Sequence, residues 1–352
     1  MRTPLNRAWP LFFIALLSLA LLTTGCQQPS TTEDTAGAEA TAPAEAGTLT
    51  VYSGRNESLI GPILEQFEAW SGTEVEVRYA STAELTATLL EEGDASPADV
   101  FIAQDAGALG ALAASGRFVA LPDDVVSTVP ASFRDPENLW VGLSGRARVV
   151  TYNPDRISVD ELPKTLEEVT EPRYKGRFGL APTNASFQAH MAAYSVENGA
   201  EALATLLAGF KANEPSSYPK NTPLVEAVVN GEIDFGLTNH YYLWRALAEA
   251  PDAPGRNFTM PGSGVAGFVN LAGVGVISDH PVANKLVAYL LSEDGQRYFA
   301  DETYEYPLTA EVEPSVDLAP LDEQLESQID FAAVSDALEA TLEAIVASGL
   351  LE

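Results

Sequence analysis

Cysteine is nearly absent from this chain of 352 residues, Cys26 being the only one. An internal disulfide is therefore excluded, and so are thiolate catalysis and cysteine–zinc sites beyond that position. Histidine is scarce too, at three residues, His190, His240 and His280. Neither a His-Glu-x-x-His run nor a Gly-x-Ser-x-Gly elbow occurs. Basic side chains are few: 19 Lys and Arg stand against 50 Asp and Glu, for a formal net charge of −31. That balance excludes binding of nucleic acid or an anionic membrane through a basic patch. It favours solubility, or adaptation to salt. The many carboxylates show no pairing that singles out an acid and a base, and they read as a solvated surface.

The N-terminus carries Arg2 and Arg7, then an apolar stretch from Trp9 to Leu22. Its length suits a signal peptide and is short for a membrane span. Thr23-Thr24-Gly25-Cys26 resembles a bacterial lipoprotein lipobox, with Thr23 where leucine is usual. Residues 1–26 are thus expected to be a lipoprotein signal peptide, with Cys26 acylated; a plain secretory signal is the alternative. Residues 27–47 have no aromatic and no branched aliphatic side chain, so they cannot bury a core and are expected to be a disordered tether. This combination predicts a domain held near a membrane surface in the cell envelope.

From Thr48 onward strand and helix alternate. Thr48–Ser53, Thr73–Ala80 and Ala98–Ala103 read as strands, with helical spacing over Ser58–Trp70 and Thr82–Glu92 between them. The pattern restarts near Arg148, with strands at 148–153, Phe178–Leu180 and Ile233–Leu237. Val265–Ile277 is a long apolar, Gly-rich stretch. Single helices are expected over His280–Phe299 and Phe331–Leu350. Such βαβ series imply mostly parallel sheets covered by helices. Two units imply two lobes with a ligand cleft between them, lined by loops at the carboxyl ends of strands.

The residues predicted to face that cleft follow the strands: Arg55 and Asn56, Gln104 and Asp105, Pro182 to Ser186, Asn221, and Asn239 with Tyr241 and Tyr242. Neighbouring positions on a helix or strand do not share a face, so a packed core gains little from the tyrosine doublet. Phenol ionises near pH 10, but a highly charged cation favours the ionised form. Tyrosinate is a hard oxygen donor that suits ferric iron. Two adjacent phenolates can share one ion where the backbone turns sharply, as at a helix start. A pair with one ring buried and one on the surface is the structural alternative.

Several segments carry a family resemblance: "VYSGRNESLIGPILEQFE", "ADVFIAQDAGAL", "LSGRARVVTYN", "APTNASFQ", "YPKNTPLVEAVVNGEIDFGLTNHYYLWR" and "VNLAGVGVISDHP". Together they resemble the ferric-iron-binding periplasmic proteins, the bacterial "transferrin" family of solute-binding components of iron ABC transporters. The resemblance covers nearly everything from Thr48, and Asn-His-Tyr-Tyr is its most specific motif. It implies a two-lobed, type II periplasmic-binding-protein fold and no enzymatic activity. Lobe 1 would comprise about 48–146 and 272–322, and lobe 2 about 147–271 and 323–352, hinged near Arg146–Val149 and Ala272–Val276.

The same resemblance implies Tyr241 and Tyr242 as ligands of Fe3+, which is the transported cargo. A synergistic anion, carbonate/bicarbonate or phosphate, would be bound by Asn184, Ser186, Asn221 and Asn239. Asn184 to Ser186 opens a helix, where free N–H groups favour anions. Asn56 and Gln104 stand where some members have a histidine and a glutamate ligand, and Phe187 where others have a third tyrosine. Asn56 and Gln104 are then possible site-lining residues, and Arg55 a guanidinium able to hold a bidentate anion. The implied partners are an ABC permease and ATPase, with the membrane reached only through the N-terminal lipid and the chain a monomer. Acid would release the metal, because protons compete for the phenolates and the anion.

Two other readings stay open: a receptor of the same fold for thiamine, phosphonate, a sugar or an oxyanion, and an envelope metal-dependent hydrolase. Gly262–Gly267, "GSGVAG", matches G-x-G-x-x-G, but it leads into strand-like sequence and reads as a loop. His240 is expected to point away from the tyrosines, and His190 and His280 to be structural.

Overall fold

The computed structural model of the chain describes residues 47–261, 264–318, 321 and 330–351. The signal segment, Cys26, the tether up to residue 46 and the 322/323 lobe boundary lie outside the described residues, as do Gly262 and Ser263. The compact unit described here is Glu45–Glu352. Among the described residues no helix is long and apolar enough to cross a membrane.

The first three strands, β1 (Leu49–Ser53), β2 (Val75–Tyr79) and β3 (Val100–Ala103), pair in parallel in the order β2-β1-β3. Their crossovers are α1 (Glu57–Ser71) and α2 (Thr82–Glu92), and α3 (Ala106–Ala114) and the short α4 (Asp123–Val126) follow β3. Helix α1 buries Leu59, Ile60, Ile63, Leu64 and Phe67 at helical spacing. It ends at Gly72, whose φ of 70° is the left-handed conformation glycine adopts without a Cβ penalty. The caps are written in the sequence: Ser81 Oγ accepts the Glu84 N–H, and Asp105 accepts the Ala108 N–H.

Strand β4 (Val141–Tyr152) is buried along all twelve residues. The later strands are β5 (Phe178–Leu180), β6 (Ser216–Ser217), β7 (Phe235–Asn239), β8 (Arg256–Phe258), β9 (Val269–Val276) and β10 (Tyr306–Pro307). Up to Ala147, β4 pairs antiparallel with β9 and β10; from Arg148 it pairs antiparallel with β7 and β8. One continuous strand therefore serves both sheets. In the second sheet β5 pairs in parallel with β6 and β7. Its helices include α5 (Ala185–Asn198), α6 (Ala200–Ala212), α7 (Asn221–Val229) and α8 (Tyr241–Glu249).

Two hydrophobic cores result. The first holds Val51, Ile60, Phe101, Leu271, Leu286 and Phe299; the second holds Val150, Phe178, Phe187, Phe210 and Phe235. Phe268 belongs to the second core and its neighbour Val269 to the first. The chain passes from one core to the other there and at Ala147–Arg148.

The two-lobed α/β architecture stands, with the sheets mixed rather than mostly parallel. The parallel ladders are confined to β2-β1-β3 and β6-β5-β7, while the strands connecting the lobes run antiparallel. The helix expected over His280–Phe299 is two helices, Ala283–Leu291 and Glu293–Asp301. Ser292 breaks it with an extended backbone and caps the second piece by accepting the Gly295 N–H. The final helix is likewise divided at Ala337 into Phe331–Asp336 and Leu338–Ala347. In both cases the apolar period continues across the break, which hides it.

Candidate functional site

A cavity of about 530 Å³ lies between the cores, lined from both sides. Strand β7 delivers Asn239 to its edge, and the backbone turns helical at His240. Tyr241 and Tyr242 are the first two residues of α8. Both line the cavity, with ring centroids 4.3 Å apart and planes 28° from parallel. Tyr241 is 3% exposed. Burial pushes its phenol well above the usual range, the Tyr242 phenol adds to this, and the Arg146 guanidinium opposes it. Without a cation the Tyr241 phenol is neutral at physiological pH; a hard cation in the cavity is what would draw off its proton.

The start of α5 lines the same cavity. Asn184 caps that helix, its Oδ1 accepting the Ser186 N–H at 3.0 Å and the Ser186 hydroxyl at 2.6 Å. Arg148, buried beneath, donates through Nη1 to Ser186 Oγ at 3.1 Å and to Asn239 Oδ1 at 3.0 Å. Burial lowers the Arg148 pKa to about 10, partly offset by the two tyrosines, so it remains a cation at neutral pH. Arg146 also lines the cavity, anchored on the Gln104 carbonyl and Oε1. Among the described residues its buried Nε–H has no hydrogen-bond partner.

The matches to known proteins agree with this geometry. Residues 95–335 match the family model of the bacterial extracellular solute-binding proteins. The major ferric iron-binding protein of Neisseria meningitidis serogroup B is 32% identical, over 78% of this chain and 84% of that protein. The chain belongs to the bacterial extracellular solute-binding proteins. Among solved structures, iron-bound HitA from Pseudomonas aeruginosa superposes with a TM-score of 0.79 at 30% identity, covering 86% of this chain and 99% of HitA. A Trichodesmium protein (IdiA, FutA) in complex with iron and citrate gives 0.70 at 27% identity, covering 86% and 99%. The relatives named here are binding proteins, and this chain is likewise a solute-binding protein and not an enzyme.

Asn56, Gln104, Asn184, Ser186 and Asn239 line the cavity of this solute-binding protein along with the tyrosines. Asn221 does not. It is fully buried behind Asn184 and Ser186, donating through Nδ2 to Ser186 Oγ at 3.1 Å. Arg55 is the larger correction. It is absent from the cavity wall and 2% exposed, and its Nη2 donates to Glu305 Oε1 at 2.8 Å. Ser144 completes that cluster by donating to the other Glu305 oxygen. Arg55 is ion-paired with a carboxylate 250 residues away, which spacing along the chain does not reveal.

None of the three histidines lines the cavity. His190 accepts the Arg148 Nε–H and contacts the Val265 carbonyl at 2.6 Å, and burial lowers its pKa to about 3. Phe187 is buried in the second core. Sequence reasoning missed Arg146 and the cavity-lining segment Phe331 to Leu338. For Arg146 a signal exists: Arg146 and Arg148 interrupt the apolar run of β4, and a buried charge in a strand demands a partner.

Proposed function

We propose that this solute-binding protein is an iron receptor that holds Fe3+ through Tyr241 and Tyr242. It presents the ion, with a synergistic anion, to the permease and ATPase of an ABC importer, from a lipid anchor at Cys26 that keeps it in the periplasm or at the outer face of the cytoplasmic membrane. The observation that carries the reading is the stacked tyrosine pair on the wall of an inter-lobe cavity. Two phenolates leave one positive charge on a trivalent ion. The buried Arg146 and Arg148 add positive charge beside it, so an anion is required for balance. Asn184 and Ser186 at the start of α5 and the Arg146 guanidinium on the cavity wall suit carbonate or phosphate. Asn221 holds Ser186 in place, and Asn239 holds Arg148.

Among the described residues no cluster of three or more His, Cys, Asp or Glu could hold a metal ion, which leaves the phenolates and the anion as the donor set. Adding ferric iron with bicarbonate is expected to produce a visible phenolate-to-iron charge-transfer band. Tyr241→Phe or Tyr242→Phe should remove or shift that band and weaken iron retention. A parent protein that stays colourless under these conditions refutes the assignment and leaves a receptor for another solute.

A further inference from the structure

His240 precedes the tyrosine pair, yet its ring does not line the cavity and instead touches two other segments. Nδ1 accepts the Ala147 N–H at 3.1 Å, where β4 passes between the sheets. Because Nδ1 is an acceptor, Nε2 carries the proton, and it donates to the Tyr304 carbonyl at 2.7 Å. The backbone N–H of His240 also donates to the Ala147 carbonyl at 3.1 Å. The ring stands edge-on to Tyr241 at 5.8 Å and to Tyr306 at 5.0 Å.

Tyr304 belongs to the first lobe. Its neighbour Glu305 pairs with Arg55, and Tyr306 pairs with Gly145 in β4. Tyr304 itself sits at φ 56°, a left-handed backbone uncommon outside glycine. The imidazole, 1% exposed, thus links a residue of the second lobe to a loop of the first, right beside the crossing strand. A core histidine with no mechanical role would need its two nitrogens satisfied, but not by two chain segments that bracket the crossing.

We propose that His240 is a positioning residue that fixes Tyr241 relative to the first lobe through its Nε2–H bond to the Tyr304 carbonyl, so that inter-lobe angle and ring placement change together. The Ala147 contact holds the imidazole in the tautomer that can make this bond. Two substitutions separate the bonds. His240→Gln keeps a donor near Nε2 and loses the Nδ1 acceptor; His240→Asn keeps an acceptor near Nδ1 and loses the reach to Tyr304.

The test uses the full chain with Cys26→Ser, and spin labels at Glu76→Cys in β2 and Glu201→Cys in α6, both exposed positions. Pulsed dipolar spectroscopy reads the inter-lobe distance without iron. His240→Gln should keep the parent distribution, while His240→Asn should broaden or shift it. His240→Phe, which fills the space and keeps neither bond, should behave like His240→Asn and serves if that variant does not fold. Equal changes in His240→Gln and His240→Asn, no change in either, or a change in His240→Gln alone would overturn the proposal.

A second readout rests on the ferric reading. The rate of iron loss to a chelator should rise about ten-fold in His240→Asn, as expected for one lost hydrogen bond, and stay within about two-fold in His240→Gln. Equal iron-loss rates in the two variants overturn the proposal. If the parent never colours with iron, the ferric reading alone has failed, and the spin-label distances still decide the role of His240.

Discussion

Glu305→Ala is the most exposing perturbation of the Arg55 cluster. The paired side chains are 1% and 0% exposed, so removing the carboxylate strands a cation with no water to solvate it. Breaking one side of such a buried pair costs about 3–5 kcal/mol. With about 300 ordered residues and roughly 2.1 cal/mol/K of unfolding entropy per residue, Tm should fall by about 5–8 °C. Glu305→Gln keeps the shape without the charge and should fall in between.

The pH dependence has a definite sign. Burial raises the Glu305 pKa, but Arg55 and then Arg146 more than offset it, leaving the carboxyl below its ordinary value. Its contribution is therefore complete above about pH 4.3, the unfolded value, and is lost as pH falls through the lower folded value. Urea or thermal unfolding of parent and variant should show a large gap at pH 7 that shrinks in acid. A gap below about 1 kcal/mol at pH 7, against the several kcal/mol that a severed buried pair costs, or one that widens in acid, would refute the reasoning.

Two other substitutions test the cavity wall. Arg146→Gln removes a charged donor worth about 1.5–3 kcal/mol, so the bicarbonate needed to develop the iron colour should rise about ten- to hundred-fold in a titration at fixed iron. Gly54→Ala would place its Cβ 2.9 Å from the Thr82 Cα and 2.2 Å from the Thr82 Oγ1 that receives the Gln104 N–H. Moving the start of α2 to make room should cost about 1–3 kcal/mol in urea unfolding and misalign Gln104 under Arg146.

The legible part of the sequence is that governed by local pattern. Helix α2 and β5 fall where period and caps put them, and the tyrosine doublet stands at the expected strand-to-helix switch, although β7 runs two residues past the apolar run to Asn239. Strand direction leaves no trace in an inside–outside pattern, so the antiparallel crossing strands were invisible. So was the unity of β4, whose first half, "VGLSGRA", is rich in small residues and whose ladder partners lie far along the chain. At the site, helix-start and post-strand positions led to Asn184, Ser186 and Asn239. The same rule misjudged Arg55, because a position after a strand fixes where a side chain begins and not which distant carboxylate captures it. The Phe331 to Leu338 wall reaches the cavity by tertiary packing alone, against a Gly107 whose missing Cβ leaves room for Ser335.

In the proposed receptor, a strand shared by two sheets would work as a torsion axle. With Ala147 laddered to Val269 on one side and Arg148 to Asn239 on the other, any rotation of the halves would centre on the peptide between them, since neither can slip along it without breaking a ladder. Each swing would then return the same atoms to the same opposing surface. A carrier that loads and empties many times would need just such a repeatable stroke.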